Sequence, residues 1–271
     1  MKVRIYGLGV VGGALYRYLN ARGHEVSRID PGLGLNETWV DKPDCIFICV
    51  PVPTKHFKLD FSIVEGILKE HQHSTTPIFL KSTVLPGTAD NLSQIYNVNI
   101  ISCPEFLTER NADRDTASLP VIYGKQGHRI MSELFPEHAR IPMLNAECEM
   151  AKYAHNCFGA TKVTFFNGIY EQCSARGLSY DRVLQGILAS GHINRQHTQV
   201  PGPDGKKGYG GHCFPKDMEA FIGFLKHTIL GKWLLDAHCM NRFYRGLKSP
   251  DKLPQGEVEL PKAQAFMDIG Q

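Results

Sequence analysis

KVRIYGLGVVGG, residues 2–13, decides the fold of the N-terminal half. Val3–Tyr6 is an apolar strand, and the glycines at 7, 9 and 12 form a turn that runs into a helical pattern over Val11–Ala21. In such a turn Gly7 permits the sharp bend, Gly9 lets backbone approach a pyrophosphate, and Gly12 allows close helix–strand packing. The helix that follows offers unpaired N–H groups to phosphate oxygens. A glycine turn alone is a weak signal. Here a second strand, Glu25–Ile29, leads to Asp30, the acidic residue that meets a ribose hydroxyl in this arrangement. Asp30 favours NAD over NADP, whereas Arg28, two residues earlier, is a basic group that argues the other way.

Working outward, DCIFICVP (residues 44–51) is a continuous apolar run, as in a strand buried on both faces. A helical pattern spans Phe61–His71, a strand Pro77–Lys81, and a helix Pro86–Tyr96 with its proline near the start. Val98–Ser102, Pro120–Tyr123 and Ile141–Leu144 are further short strands. This alternation predicts an α/β fold: a Rossmann-type, doubly wound parallel sheet over residues 1–144. From Asn145 the pattern turns helical. Asn145 caps a helix reaching about Arg176, with Glu147 and Glu149 in its first turn. A helix over Ser179–Ala189 follows, then a loop rich in Gly, Pro and Lys over Val200–Gly211, then largely helical sequence over Asp217–Leu247. Residues 145–247 therefore read as a helical domain, and 248–271 as a loosely packed tail.

The bulk numbers fit a globular protein: 271 residues, 42% hydrophobic and 21% charged, with a net charge of +3. No basic run interleaves with aromatics, so nucleic-acid binding has no support. No apolar stretch is long enough to span a bilayer, and the N-terminus reads as a strand rather than a signal peptide. Eight cysteines without a CxxC pair suit reduced thiols in a cytoplasmic protein, with neither a disulfide framework nor a metal site.

Four places can carry chemistry. GYGGHCFPKD (residues 208–217) places Cys213 at a predicted helix start, where the dipole favours a thiolate, with Lys216 beside it and Asp217 one turn on. An incidental core cysteine is the competing reading, but the density of special residues favours a nucleophile. Lys152 and Asn156 share one helix face, either as a solvated pair or as a desolvated lysine acting as base or anchor. Glu105 and Glu109, also four apart, are either two carboxylates on an exposed helical turn or groups that hold a water or pair with a lysine. Thr83 closes a strand on the edge that faces the ligand crevice of a parallel sheet.

Taken together, GLGVVG from Gly7, FICVPVPT from Phe47, STVLPGT from Ser82, PEFLTERNADRD from Pro104, EMAKYAHNCFGATKVTFFN from Glu149 and GYGGHCFPKD from Gly208 resemble the UDP-glucose/GDP-mannose dehydrogenase family, in the family's order. The resemblance implies oxidation of a nucleotide sugar's primary alcohol to a carboxylate with two NAD, serving polysaccharide biosynthesis. It implies that Cys213 traps the aldehyde as a thiohemiacetal that becomes a thioester. Lys152 and Asn156 would stabilise the oxyanion. Asp217 would move protons with Lys152 or a water, Thr83 and Glu109 would hold a water, and Glu105 would be the base for hydrolysis. Gly7, Gly9, Val10, Val11, Gly12, Asp30, Val50, Pro51, Thr83 and Lys216 would contact NAD. Glu105, Phe106, Leu107, Lys152, Asn156, Tyr209, Gly210 and Gly211 would contact the sugar nucleotide.

CFPKD and PEFLTE lean toward a UDP-glucose-type substrate, while the GGHC variant keeps UDP-N-acetylhexosamines open. Relatives pair through the long helix that aligns here with Lys216–Leu247, which implies a homodimer. Two departures stand out. The sequence has no counterpart of the family's C-terminal nucleotide-binding domain, and Ile193 occupies a position where relatives carry arginine, with Arg195 nearby and Asp204–Lys207 inserted. The sequence is also compatible with two other readings: a non-catalytic nucleotide-binding paralogue, or a dehydrogenase of a smaller hydroxy acid, which has no need of Cys213.

Overall fold

The computed structural model describes residues 1–247, so the tail expected at 248–271 lies outside the described residues. In chain order the elements are β1 (Lys2–Tyr6), α1 (Val10–Ala21), β2 (Glu25–Asp30), β3 (Leu35–Asn36), β4 (Cys45–Ile48), β5 (Thr54–Lys55), β6 (Lys58–Leu59), α2 (Ser62–Glu70), β7 (Ile78–Leu80), α3 (Thr88–Tyr96) and β8 (Ile100–Ser102). Then follow α4 (Ala112–Ser118), β9 (Val121–Gly124), α5 (His128–Leu134), β10 (Arg140–Met143), α6 (Asn145–Ala175), α7 (Tyr180–Ala189), α8 (Phe214–Phe224) and α9 (Ile229–Tyr244). The chain divides into two compact units, one of Met1–Pro53 with Leu59–Lys152, the other of Thr54–Lys58 with residues 153–247.

The first unit is built on a six-stranded sheet in the order β3-β2-β1-β4-β7-β8. Every pairing is parallel except the short edge pair β2–β3, where Ile29 faces Asn36. The strand order reverses at β1, so the crevice opens beyond the carboxyl ends of β1 and β4. Strand β4 shows why its sequence is apolar throughout. Ile46 and Ile48 pack on one side with Val64 and Leu68 of α2 and Leu92 of α3. Cys45 and Phe47 pack on the other with Leu15 and Leu19 of α1 and Met131 and Leu134 of α5. The doubly wound α/β fold expected from the alternation is therefore present, with β9 and β10 forming a separate parallel pair.

Two local expectations are corrected. Asn145 opens α6 but its side chain does not cap it. Its Oδ1 accepts the Ser102 N–H at 2.9 Å, and its Nδ2 donates to Asp90 at 2.7 Å and to the Ile100 carbonyl at 3.1 Å. Glu147 instead accepts the Leu144 N–H at 2.7 Å, satisfying a donor ahead of the helix. Glu149 then ties α6 to the start of α3, accepting from Gly87 N at 2.6 Å, Ala89 N at 2.9 Å and Ser102 Oγ at 2.7 Å.

The sequence after Asp217 is largely helical as expected, but the second correction concerns the long helix aligned with Lys216–Leu247, which is two helices. It breaks after Phe224 and restarts at Ile229, where the Thr228 hydroxyl accepts the Gly231 N–H at 3.0 Å as an N-cap. A Cβ at Gly231 would lie 2.1 Å from the Leu225 carbonyl oxygen, so glycine is needed for α9 to fold back against the end of α8. Within this second unit, Tyr153 stacks on Phe221 with ring centroids 5.2 Å apart, joining α6 to α8. Phe166, Cys173, Tyr180 and Leu184 join α6 to α7. No helix among the described residues is long and apolar enough to cross a membrane.

Candidate active site

The first unit carries a dinucleotide cradle. Gly7 has φ +84°, and a Cβ there would meet the Cys49 carbonyl at 2.9 Å, so the turn is pressed against the end of β4. A Cβ at Gly12 would lie 1.8 Å from the Gly7 oxygen, whereas one at Gly9 would meet nothing within 4 Å. The first and third glycines are thus required by packing, and the second leaves its surface open. Helix α1 starts at Val10 with no side-chain cap and no acidic residue in its first turn, as suits a helix start that receives an anion. Asp30 ends β2 and steadies the turn, its Oδ2 accepting the Leu8 N–H at 2.7 Å. At the end of β4, Val50 is buried and its carbonyl accepts Ser82 Oγ at 2.6 Å, while Pro51 is exposed. Open backbone at Gly9, uncapped N–H groups and a carboxylate at the strand end fit the pyrophosphate and ribose of NAD.

A second cluster in the same unit follows β8. Lys152, only 4% exposed, donates to Glu105 Oε1 at 3.2 Å and also to the Glu105 carbonyl. The other carboxylate oxygen of Glu105 accepts the Leu107 N–H at 2.7 Å, which fixes the acid from both sides. Lys152 Nζ lies 5.4 Å from the centre of the Phe106 ring. Val11, Lys81, Glu105, Phe106 and Leu107 border a cleft of about 40 Å³, which brings Val11 of the expected cofactor residues to the same cleft as Glu105, Phe106 and Leu107 of the expected substrate residues. Lys81 did not stand out in the sequence. It is buried, with Nζ donating to the Cys103 carbonyl at 3.1 Å. Glu109 and Glu105 do not share a helical turn: Glu109 is exposed and opens a separate 3-10 turn, Glu109–Asn111. Thr83 lies three residues beyond the end of β7, half-buried in a loop.

The second unit holds the cysteine. Cys213 is exposed and sits at the N-cap of α8, with Pro215 in the first turn and the Asp217 N–H donating to its carbonyl at 2.9 Å. Asp217 is 1% exposed and receives Asn156 Nδ2 at 2.6 Å on one oxygen and Lys216 Nζ on the other. His155 Nδ1 contacts Asn156 Oδ1 at 3.0 Å, consistent with the amide orientation that aims Nδ2 at Asp217. One cationic and one amide donor thus satisfy the two oxygens of this buried carboxylate.

The glycine loop before Cys213 is gripped by side chains that its own sequence does not reveal. Asn167 Oδ1 accepts the Gly208 N–H at 3.0 Å, and Arg245 donates to the Gly208 carbonyl at 3.1 Å and the Tyr209 carbonyl at 3.0 Å. Asn241 also binds the Tyr209 backbone. A Cβ at Gly208 would lie 2.4 Å from Asn241 Oδ1, and one at Gly210 would lie 2.3 Å from the Arg245 guanidinium. These glycines make room for the clamp, while Gly211, with φ +78°, supplies a bend facing open space. The Tyr209 ring points inward, its hydroxyl 2.8 Å from His238 Nδ1. Among the remaining substrate-side positions, Ile193 and Arg195 lie exposed in the loop after α7.

Comparison with known proteins agrees with both units. Two models of the UDP-glucose/GDP-mannose dehydrogenase family match: its NAD binding domain over residues 35–137 and its central domain over residues 146–241. The first match begins after Asp30, so the glycine cradle stands on its own geometry. UDP-glucose 6-dehydrogenase TuaD of Bacillus subtilis is 34% identical over 201 residues, covering 68% of this chain and 42% of the relative. GDP-mannose 6-dehydrogenase of Pseudomonas aeruginosa is 29% identical over 280 residues, covering 81% of this chain and 63% of the relative. The chain thus spans roughly half of these relatives' length. In fold it is similar to a UDP-glucose dehydrogenase from Pyrobaculum islandicum, with TM-score 0.77, 23% identity, and coverage of 90% of this chain and 68% of that one. With an NAD-binding domain and a central domain matched in order on this fold, the chain belongs to the UDP-glucose/GDP-mannose dehydrogenase family.

Proposed function

We propose that the chain acts as an NAD-dependent dehydrogenase that oxidises the primary alcohol of a nucleotide sugar to a carboxylate, of the UDP-glucose to UDP-glucuronate type, with Cys213 as covalent nucleophile. The observation that carries this reading is Cys213 itself: an exposed thiol at the head of α8, on a clamped glycine loop, one turn before the buried Asp217–Asn156 pair. A dehydrogenase of small hydroxy acids has no use for such a thiol.

Gly7, Gly9, Val10, Val11, Gly12 and Asp30 would hold NAD, with Val50, Pro51, Thr83 and Lys216 flanking it, and the bound cofactor would supply the hydride acceptor for each of two oxidations. Between them the Cys213 sulfur adds to the aldehyde carbon. A C–S bond forms, the carbonyl π bond breaks, and a proton reaches the oxygen to give a thiohemiacetal. Loss of a hydride and of the hydroxyl proton leaves a thioester, so the aldehyde never dissociates. Lys152 and Asn156 stabilise the oxyanion, with Asp217 moving protons. Glu105 takes a proton from the water that breaks the C–S bond, while Thr83 and Glu109 hold a water. Phe106, Leu107, Gly210 and Gly211 line the sugar-nucleotide path, with the buried Tyr209 anchoring the glycine loop behind them.

A homodimer fits this reading. Trp233, Met240 and Phe243 are 52%, 46% and 72% exposed along α9, an apolar stripe suited to a second copy of the chain.

NADH formation with a panel of UDP- and GDP-sugars, for wild type and Cys213→Ala, tests the proposal. Two NADH per sugar, lost on substitution, is the expected result. NAD binding without turnover of any sugar would point to a non-catalytic module. Turnover of hydroxy acids indifferent to the substitution would sink the cysteine mechanism.

A further inference from the structure

Arg28 and Asp30 lie two residues apart on β2 and so share one face of the strand. An arginine this near the ribose-binding acid is the type of group that accommodates the 2′-phosphate of NADP. Here it is already engaged. Glu37, just past β3, accepts Arg28 Nε at 3.1 and 3.0 Å on its two oxygens, and Arg28 Nη2 as well. Glu37 also accepts the Arg28 N–H at 3.0 Å and donates its own N–H to the Arg28 carbonyl at 2.9 Å. On the other side, the Tyr16 ring of α1 lies 4.6 Å beneath the Arg28 guanidinium carbon. Fork, ring and backbone together hold the cation against the edge strand. The ion pair keeps the Glu37 carboxyl below the ordinary carboxylate range, its hydrogen bond to Arg28 being the main cause.

We propose that Glu37 is a cofactor-specificity residue: by holding Arg28 in an internal ion pair, it denies the 2′-phosphate of NADP a cation and leaves Asp30 to select NAD. The charges explain the sign. With Glu37 ionised, the strand end presents Asp30, Glu37 and Arg28, one net negative charge facing a dianionic phosphate. With Glu37 made neutral, Asp30 and Arg28 balance, and the guanidinium has no competing anion. NAD, which has only a hydroxyl at that carbon, is indifferent to the change.

This inference rests on reading the Gly7–Asp30 turn as the NAD site, and a binding measurement separates the two. NAD and NADP are each titrated into the full chain by calorimetry, for wild type, Glu37→Gln, Arg28→Met and the double variant. Wild type is expected to prefer NAD. Glu37→Gln should bind NADP about tenfold more tightly than wild type does, with NAD affinity nearly unchanged. The double variant should lose that gain, and the gain should shrink as salt rises. Arg28→Met alone should weaken NADP further, because it leaves Asp30 and Glu37 with no cation beside them. A folded Glu37→Gln that binds NAD normally but gains nothing for NADP overturns the specificity role. So does an Arg28→Met variant whose NADP affinity equals or exceeds that of wild type, which is informative even if Glu37→Gln does not fold. Wild type binding neither nucleotide overturns the site reading, and this inference with it.

Discussion

Asn241 pairs with the backbone of Tyr209 in both directions, its Oδ1 accepting the Tyr209 N–H at 2.6 Å and its Nδ2 donating to the Tyr209 carbonyl at 3.1 Å. Both atoms of the amide are used, and both partners are buried. Asn241→Ala leaves a buried donor unpaired and weakens the hold on the carbonyl, which Arg245 alone then keeps. The expected loss is about 2–3 kcal/mol in urea unfolding. Asn241→Asp keeps the acceptor but offers no donor to the carbonyl, so it should fall short of wild type. An aspartate variant as stable as wild type would show that the amide's second bond contributes nothing.

The glycine cradle makes a paired prediction. Gly12→Ala forces a methyl group to within 1.8 Å of the Gly7 oxygen, so α1 must shift. It should lower thermal stability and NAD affinity together. Gly9→Ala meets nothing within 4 Å in the chain and should unfold like wild type. Its methyl group projects where the pyrophosphate approaches, and NAD affinity should fall by about tenfold or more. Equal NAD affinity in Gly9→Ala and wild type would argue against phosphate contact at that turn.

His238, 5% exposed behind Tyr209, has its pKa pulled down to about 4 by burial, with Arg242 adding to the effect. Its value in the unfolded chain is about 6.5. A group depressed in the folded state contributes stability that is full above the unfolded value and is lost as pH falls from there toward 4. The magnitude is on the order of 3 kcal/mol. Comparing urea unfolding at neutral pH with that near pH 4.5, His238→Gln should show a shallower loss than wild type. Parallel slopes would assign the acid sensitivity elsewhere.

Glu105→Gln tests the hydrolytic step apart from the oxidations. The amide can still accept the Leu107 N–H but cannot take a proton from water. If Glu105 is the base, steady turnover should fall by about 10²-fold or more while the first NADH still forms rapidly. Mass spectrometry should find the acyl group retained on Cys213. A uniform slowing with no burst and no adduct would place the role of Glu105 in substrate binding.

How much of this was legible depended on whether the cause was local. The turn from Gly7 to Gly12 and the apolar run of β4 were readable because the demands on those residues come from their own strand and turn. The break between α8 and α9 left a sign in Thr228, whose capping role requires only Gly231 three residues on, but the surrounding apolar residues suggested continuity. Asn145 misled for the opposite reason. It stands where a cap belongs, yet partners on β8 and α3 claim its amide. The Asn167, Asn241 and Arg245 grip on the glycine loop was invisible because each contact joins residues at least 32 apart in sequence. Pairing with a lysine was one reading open for Glu105 or Glu109, but Lys152 as the partner of Glu105 was not legible, since the two lie 47 residues apart.

The five residues Thr54–Lys58 belong with the second unit although the chain on either side belongs with the first. Phe57 marks that allegiance, its N–H donating to Glu219 of α8 at 3.0 Å. Among the described residues the polypeptide therefore passes between units at three points rather than one. No single protease nick within residues 1–247 can release either unit as a free fragment. A recombinant product ending at Lys152 would carry an orphaned buried phenylalanine, and its complement would miss a strand. Dissection of this protein into separately expressed halves calls for a short replacement linker across residues 54–58, and the excised peptide must be supplied to the other half.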